Sequence, residues 1–205
     1  MKYGLFFGDS ITYGEYDGVF GGWVDILKRY ALQKYNEGSN ELILFNLGIG
    51  GETTEGLVRR ISHEMEARNS AEGNWVFIGY GANDLAIKEG VQAVEPEQFK
   101  SNILLAVHQA KQYAEDIYLI SILPVAEKTD GVQTASGKWR TMAEVVKYNQ
   151  ILRSIAAEND LHYLDFYSGF VDDKEVLLSK DGVHPNEKGY GIMAEMAIPI
   201  IEKYL

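Results

Sequence analysis

Tyr3-Gly4-Leu5-Phe6-Phe7-Gly8-Asp9-Ser10-Ile11-Thr12-Tyr13-Gly14 begins as a short apolar run and breaks into a glycine-bounded polar loop. A continuous apolar run of this length suits a parallel strand buried on both faces. Runs of the same kind recur at residues 42–47, 75–80, 117–123 and 162–166. Segments of helical period lie between them. Leu57, Val58, Ile61 and Met65 make one stripe. Phe99, Ile103, Val107, Ala110 and Ala114 make the next, on a helix that starts near Pro96, a favoured first-turn residue. Thr141 and Glu144 form a capping box ahead of residues 145–157. Met193, Met196, Ala197, Ile200, Ile201 and Tyr204 mark the last helix, in which Pro199 predicts a kink or split near Ile198. Strands alternating with helices, joined by right-handed crossovers, predict an α/β fold: a five-stranded parallel sheet between two helical layers.

Composition narrows the chemistry. The chain has 205 residues, within reach of one domain, and no Pro/Ser-rich linker, so residues 1–205 read as one unit. With 19 basic and 30 acidic residues the net charge is −11, which argues against nucleic acid and anionic lipid as partners. The absence of Cys removes disulfides, thiol nucleophiles and thiolate metal sites. Residues 1–7 carry one positive charge and too short an apolar run for a signal peptide. No run approaches the ~18–20 apolar residues of a membrane span, so a cytoplasmic protein is expected. Nothing in the sequence indicates an oligomeric state. Glycine is in excess, 21 residues, with 11 of them at or before Gly56.

Ligands of open α/β sheets bind outside the carboxyl ends of strands. The first exit is Gly8-Asp9-Ser10-Ile11, the second Gly48-Ile49-Gly50-Gly51-Glu52-Thr53 and the third Gly81-Ala82-Asn83-Asp84. Asp181-Gly182-Val183-His184-Pro185 follows the fifth strand and precedes the last helix. A serine hydroxyl at a strand exit can act as a nucleophile if a base lies within hydrogen-bond reach. Of four histidines, His63 and His108 lie on or beside helix faces and His162 opens a strand, which leaves His184. Asp181, three residues earlier, can hold the imidazole Nδ1–H and leave Nε2 for Ser10. The backbone N–H groups of Ser10 and Gly51 and the amide of Asn83 are available to an oxyanion.

These four segments resemble, in order, the sequence blocks of the GDSL, or SGNH, esterases and lipases, with Ile11 in place of the name-giving Leu. The resemblance spans nearly the whole chain. It implies a flavodoxin-like SGNH hydrolase fold, a Ser10/His184/Asp181 triad, and an oxyanion hole from Ser10, Gly51 and Asn83. It implies a small-molecule ester substrate (lipid, short-chain or acylated carbohydrate) and neither a metal nor an organic cofactor.

Each segment also has a plainer reading. Asp9 and Ser10 could cap a helix, Gly48–Gly51 and Asn83 could serve turns, and Asp181 could do either. Asp84 reads as a loop support, and Asp172-Asp173 as a solvated pair. Trp139-Arg140 reads equally as pocket lining or helix entry. Tyr13, Tyr16, Phe20 and Trp23 read as an apolar pocket or as packing under the first helix. The competing function is a flavin-nucleotide binding module, with Ser10–Gly14 cradling a phosphate; it gives Asn83, Asp181 and His184 no role.

Overall fold

The computed structural model describes residues 1–205. The opening apolar run is strand β1 (Lys2–Gly8), followed by a four-residue helix α1 (Ser10–Tyr13) and by α2 (Trp23–Asn36). Next come β2 (Leu42–Gly48), α3 (Thr54–Ala67) and β3 (Asn74–Gly79). Two short strands, β4 (Ile87–Lys88) and β5 (Val91–Gln92), precede α4 (Pro96–Ala110) and β6 (Asp116–Ile120). The chain ends with β7 (Lys138–Trp139), α5 (Met142–Glu158), β8 (His162–Leu164), α6 (Phe166–Phe170), α7 (Lys174–Leu177) and α8 (Glu187–Ile201).

Five strands form a sheet in the order β2-β1-β3-β6-β8, and every pairing is parallel. The expected α/β architecture is present. Side-chain alternation sends Leu5, Phe7, Val76, Ile78 and Leu119 to one face, where α3, α4 and α5 cover them. Phe6, Trp75, Phe77, Tyr118 and Ile120 go to the other face, under α2 and α8. Burial on both faces is what makes the strands continuously apolar. On the second face Phe6, Phe77 and Tyr118 stack across three strands, with centroids 4.5 and 4.6 Å apart.

The strand order reverses between β1 and β3, so a crevice opens beyond their carboxyl ends. Three glycines, Gly8, Gly48 and Gly79, lie in register there. A Cβ on Gly8 would stand 1.9 Å from Thr12 Oγ1, and one on Gly48 2.3 Å from the Tyr13 nitrogen. The bare backbone lets α1 lie directly across the end of the sheet. The glycine excess therefore serves close approach as much as turning.

Several details depart from expectation. The fourth strand stops at Ile120 because the Asn149 side chain binds both backbone groups of Ile122. The fifth stops at Leu164 because Asp165 caps α6, accepting from the Ser168 N–H. Thr141 caps α5 through the Glu144 N–H at 3.1 Å, but the Glu144 carboxylate accepts from Gln92 instead of completing the box. α8 runs through Pro199 to Ile201, so the proline does not split the helix. The loops around residues 85–95 and 129–140 pair through β4, β5 and β7 into a small antiparallel sheet. No helix is long and apolar enough to cross a membrane.

Candidate active site

Asp9 follows β1 and caps α1, its Oδ1 accepting the Ile11 N–H at 2.9 Å. Ser10 is thus the first residue of a short helix pinned to the glycine row. In that position its N–H has no acceptor within the helix. Its hydroxyl meets His184 Nε2 at 2.7 Å. The other ring nitrogen, Nδ1, meets Asp181 Oδ2 at 2.5 Å.

The turn from Asp181 to His184 is built by the acid itself. Asp181 Oδ1 accepts from the N–H groups of Val183 and His184, each at 3.0 Å, and from the Ser179 hydroxyl at 2.7 Å. Gly182 takes φ 72, and a Cβ there would stand 2.6 Å from Thr129 Oγ1. Burial pushes the Asp181 carboxyl up, but the His184 imidazole and the surrounding N–H and O–H donors outweigh it and hold it well below the usual carboxylate range. An ionised Asp181 keeps the proton on His184 Nδ1 and Nε2 free to accept.

Gly51 lies in the exposed turn after β2 with φ 77. Asn83 is buried after β3. Its Nδ2 donates to the Glu52 carbonyl at 3.2 Å and to Asp9 Oδ2 at 3.4 Å. Its Oδ1 accepts from Arg140 Nη2 at 3.3 Å, while Arg140 Nε donates to the Ala82 carbonyl at 2.6 Å. Ser10, Gly51, Asn83, Asp181, His184 and Arg140 all border one cleft of about 370 Å³. The exits of β1, β2 and β3 and the turn before α8 thus converge.

Two candidates lie elsewhere. Tyr13 ends α1, is 61% exposed and lies off the cleft wall, while its backbone packs on Gly48. Trp139 is off the wall as well: strand alternation turns Lys138 and Arg140 toward the cleft and Trp139 away. Arg140 therefore follows the pocket reading and Trp139 does not. Trp23 is core, packed edge-on against Phe6 and Phe166. Phe20 is half exposed beneath the Arg29 guanidinium. Tyr16 does border the cleft, its ring 5.0 Å from that of His184, on a backbone with φ 71. His63 and His108 are exposed on helices, and His162 bonds Asp116 at the opposite end of the sheet.

Sequence reading missed three features. Glu15 Oε2 lies 4.0 Å from His184 Nε2. Lys138 stands beside Arg140. A half-buried network ties down the loop after β2: Arg60 donates to Glu52 at 2.8 Å, to the Leu47 carbonyl at 2.6 Å and to the Tyr80 hydroxyl at 2.8 Å. The only available signal was Arg60 on the polar side of its helix, which looks solvated until β3 delivers Tyr80.

Two buried acids underlie the cleft. Burial raises the Asp9 carboxyl to about 6, against the Ile11 N–H and the positive field of His184, which lower it. Burial likewise raises Asp84 to about 6, although its Oδ1 accepts from both the N–H and the hydroxyl of Thr54. Asp84 thereby ties the third exit to the start of α3, as a loop support.

Residues 6–192 match the model of the GDSL-like Lipase/Acylhydrolase family. The chain is 28% identical to the isoamyl acetate-hydrolyzing esterase of Saccharomyces cerevisiae, over 98% of this chain and 86% of that one. It is 25% identical to the uncharacterized lipoprotein YqeF of Bacillus subtilis, over 84% of this chain and 76% of that one. The lipase/acylhydrolase from Enterococcus faecalis superposes with a TM-score of 0.80 at 23% identity, covering 100% of this chain and 97% of that one.

Proposed function

We propose that this chain, which belongs to the GDSL-like lipase/acylhydrolase family, cleaves carboxylic esters through an acyl-enzyme on Ser10. One observation carries the reading: the relay Ser10 Oγ to His184 Nε2 at 2.7 Å and His184 Nδ1 to Asp181 at 2.5 Å. Ser10 Oγ attacks the ester carbonyl carbon as its proton passes to Nε2. The carbonyl oxygen becomes an oxyanion, which accepts from the N–H groups of Ser10 and Gly51 and from Asn83 Nδ2. Asp181 stabilises the imidazolium. The carbon–oxygen bond to the alcohol then breaks, and Nε2–H protonates the departing oxygen. Water, losing its proton to Nε2, attacks the acyl carbon; collapse returns the proton to Ser10 Oγ and frees the acid.

The flavin-nucleotide alternative gains no support from this geometry, since the imidazole stands against the hydroxyl that a phosphate would need. The activity for which the yeast relative is named favours a small ester. The test is a short-chain chromogenic ester together with a fluorophosphonate label and peptide mapping. Modification at Ser10, with turnover down on the order of 10⁴-fold or more in Ser10→Ala and His184→Ala, is the expected result. Parent-like turnover in either variant, or a folded protein that takes no label, would overturn the reading.

A further inference from the structure

The β7 wall of the cleft carries positive charge that no carboxylate contacts directly; Asp9 and Asp181 act on Arg140 only at longer range. Arg140 is the one cation among the buried residues. Its two hydrogen bonds go to neutral oxygens, those of Ala82 and Asn83, and it joins no salt bridge. Nη1 is neither bonded nor enclosed. Lys138 projects from the same face two residues earlier, again without a carboxylate partner, and borders the cleft. Lys88 stands directly opposite Lys138 in the β4–β7 ladder. Like charges directly opposite are destabilising, and this cluster occurs in a chain where acids outnumber bases 30 to 19. Burial, then Arg140 and Lys88, push the Lys138 ammonium down, the direction a nearby anion would reverse. The other wall holds Glu15, 4.0 Å from His184 Nε2, which repels an anion from that side.

We propose that Arg140 and Lys138 form a subsite for a carboxylate carried by the substrate, so that the favoured substrates are anionic esters. The proposal rests on the esterase reading of the same cleft and specifies its substrate class. Arg140 offers Nη1 and Lys138 offers a mobile ammonium, both charge-assisted donors. The repulsion from Glu15 orients the ester, with its carboxylate toward β7 and its carbonyl over Ser10.

Two matched pairs test this. The para-nitrophenyl monoester of glutarate against its methyl ester places the charge on the acyl side. para-Acetoxybenzoate against its methyl ester places it on the alcohol side. At least one anionic member should exceed its neutral partner about tenfold or more in kcat/KM, the size of one charge-assisted hydrogen bond. Lys138→Glu should abolish or invert that ratio, and added salt should shrink it. Calorimetry on Ser10→Ala with monomethyl glutarate and para-acetoxybenzoate reads the subsite without turnover, and Lys138→Glu should weaken binding about tenfold. Equal kcat/KM within both pairs, unmoved by Lys138→Glu, overturns the subsite and leaves the esterase reading standing. Carboxylate binding that needs Lys138, in a parent that hydrolyses no ester, supports the subsite and overturns the esterase reading.

Discussion

Arg140 Nη2 donates to the Asn83 amide oxygen across 3.3 Å, and this contact decides which end of the amide points toward the Asp9–Ser10 side of the cleft. With Oδ1 engaged by the guanidinium, Nδ2 is turned to Glu52 O and Asp9 Oδ2, and on the esterase reading the weaker of these, the 3.4 Å bond to Asp9, is the one exchanged for the oxyanion. The fork also holds the Ala82 carbonyl at 2.6 Å, so the exit of β3 is fixed at two points. Arg140→Lys keeps the charge and loses the fork. On a neutral ester, kcat should fall by roughly 10–10²-fold with KM little changed, as one mispositioned donor implies. Adding Asn83→Ala to that variant should cost much less than Asn83→Ala costs alone. Additive losses would mean that Arg140 acts on something other than Asn83.

The glycine row gives a second expectation. Alanine at Gly48 would place its Cβ 2.3 Å from the Tyr13 nitrogen and 2.8 Å from the Asp9 carbonyl, both backbone atoms that no rotamer change can move. Gly48→Ala should therefore lift α1 and carry Ser10 away from His184. Fluorophosphonate labelling should drop at least tenfold, in line with the sensitivity of in-line geometry to an ångström of misplacement. Gly18→Ala, with nothing within 4 Å of the added carbon, should label like the parent and serves as the control.

Ser10 and Asn83 were legible in sequence because each sits beside a strand exit, and exits are marked by abrupt change from apolar to glycine and polar residues. His184 lies beyond α6 and α7, in the turn before α8, and was legible through its spacing from Asp181 instead. The supporting contacts were not, for a physical reason: they join segments whose proximity exists only after the sheet closes. Arg60 reaches Tyr80 across 20 positions and Arg140 reaches Asn83 across 57. β4 and β7 are two residues each, too short for alternation to register, so their sheet read as loop. Trp139 was ambiguous until pairing fixed which face it takes. The α/β layering itself was legible, since the three inner strands, β1, β3 and β6, are buried on both faces and leave a nearly unbroken apolar record.

Arg60 and Glu52 are 15% and 12% exposed at their side chains. Arg60→Met leaves Glu52 beside the Tyr80 hydroxyl without its cation, and leaves the Leu47 carbonyl without a donor. Breaking one side of such a pair costs roughly 3–5 kcal/mol when the pair is well buried, and this one should fall toward the lower end. Urea unfolding should show the loss, and Arg60→Met with Glu52→Gln should recover part of it. A double variant no more stable than the single one would place the energy in the Leu47 and Phe7 contacts of Arg60 instead.

Asp84 and Asp9 together predict how stability responds to pH. Each has its folded value raised by burial from 3.8 to about 6. Between those values the folded state binds more protons than the unfolded chain, so stability falls as pH rises across the window. The contribution is fully present below about pH 4 and is lost above about pH 6, on the order of 3 kcal/mol for each group. Asp181 has the opposite sign: its folded value is lowered, so its contribution holds above 3.8 and is lost only in more acidic solution, outside this window. Asp84→Asn keeps an oxygen for the Thr54 N–H and hydroxyl but cannot ionise. Relative to the parent it should gain on the order of 2–3 kcal/mol on going from about pH 4 to about pH 7.5, whatever fixed packing penalty it carries at both. Denaturant unfolding of the two proteins at those two pH values measures the difference directly. A difference that does not change with pH would show that Asp84 is not held protonated through this range, and that the Thr54 donors suffice to keep it ionised.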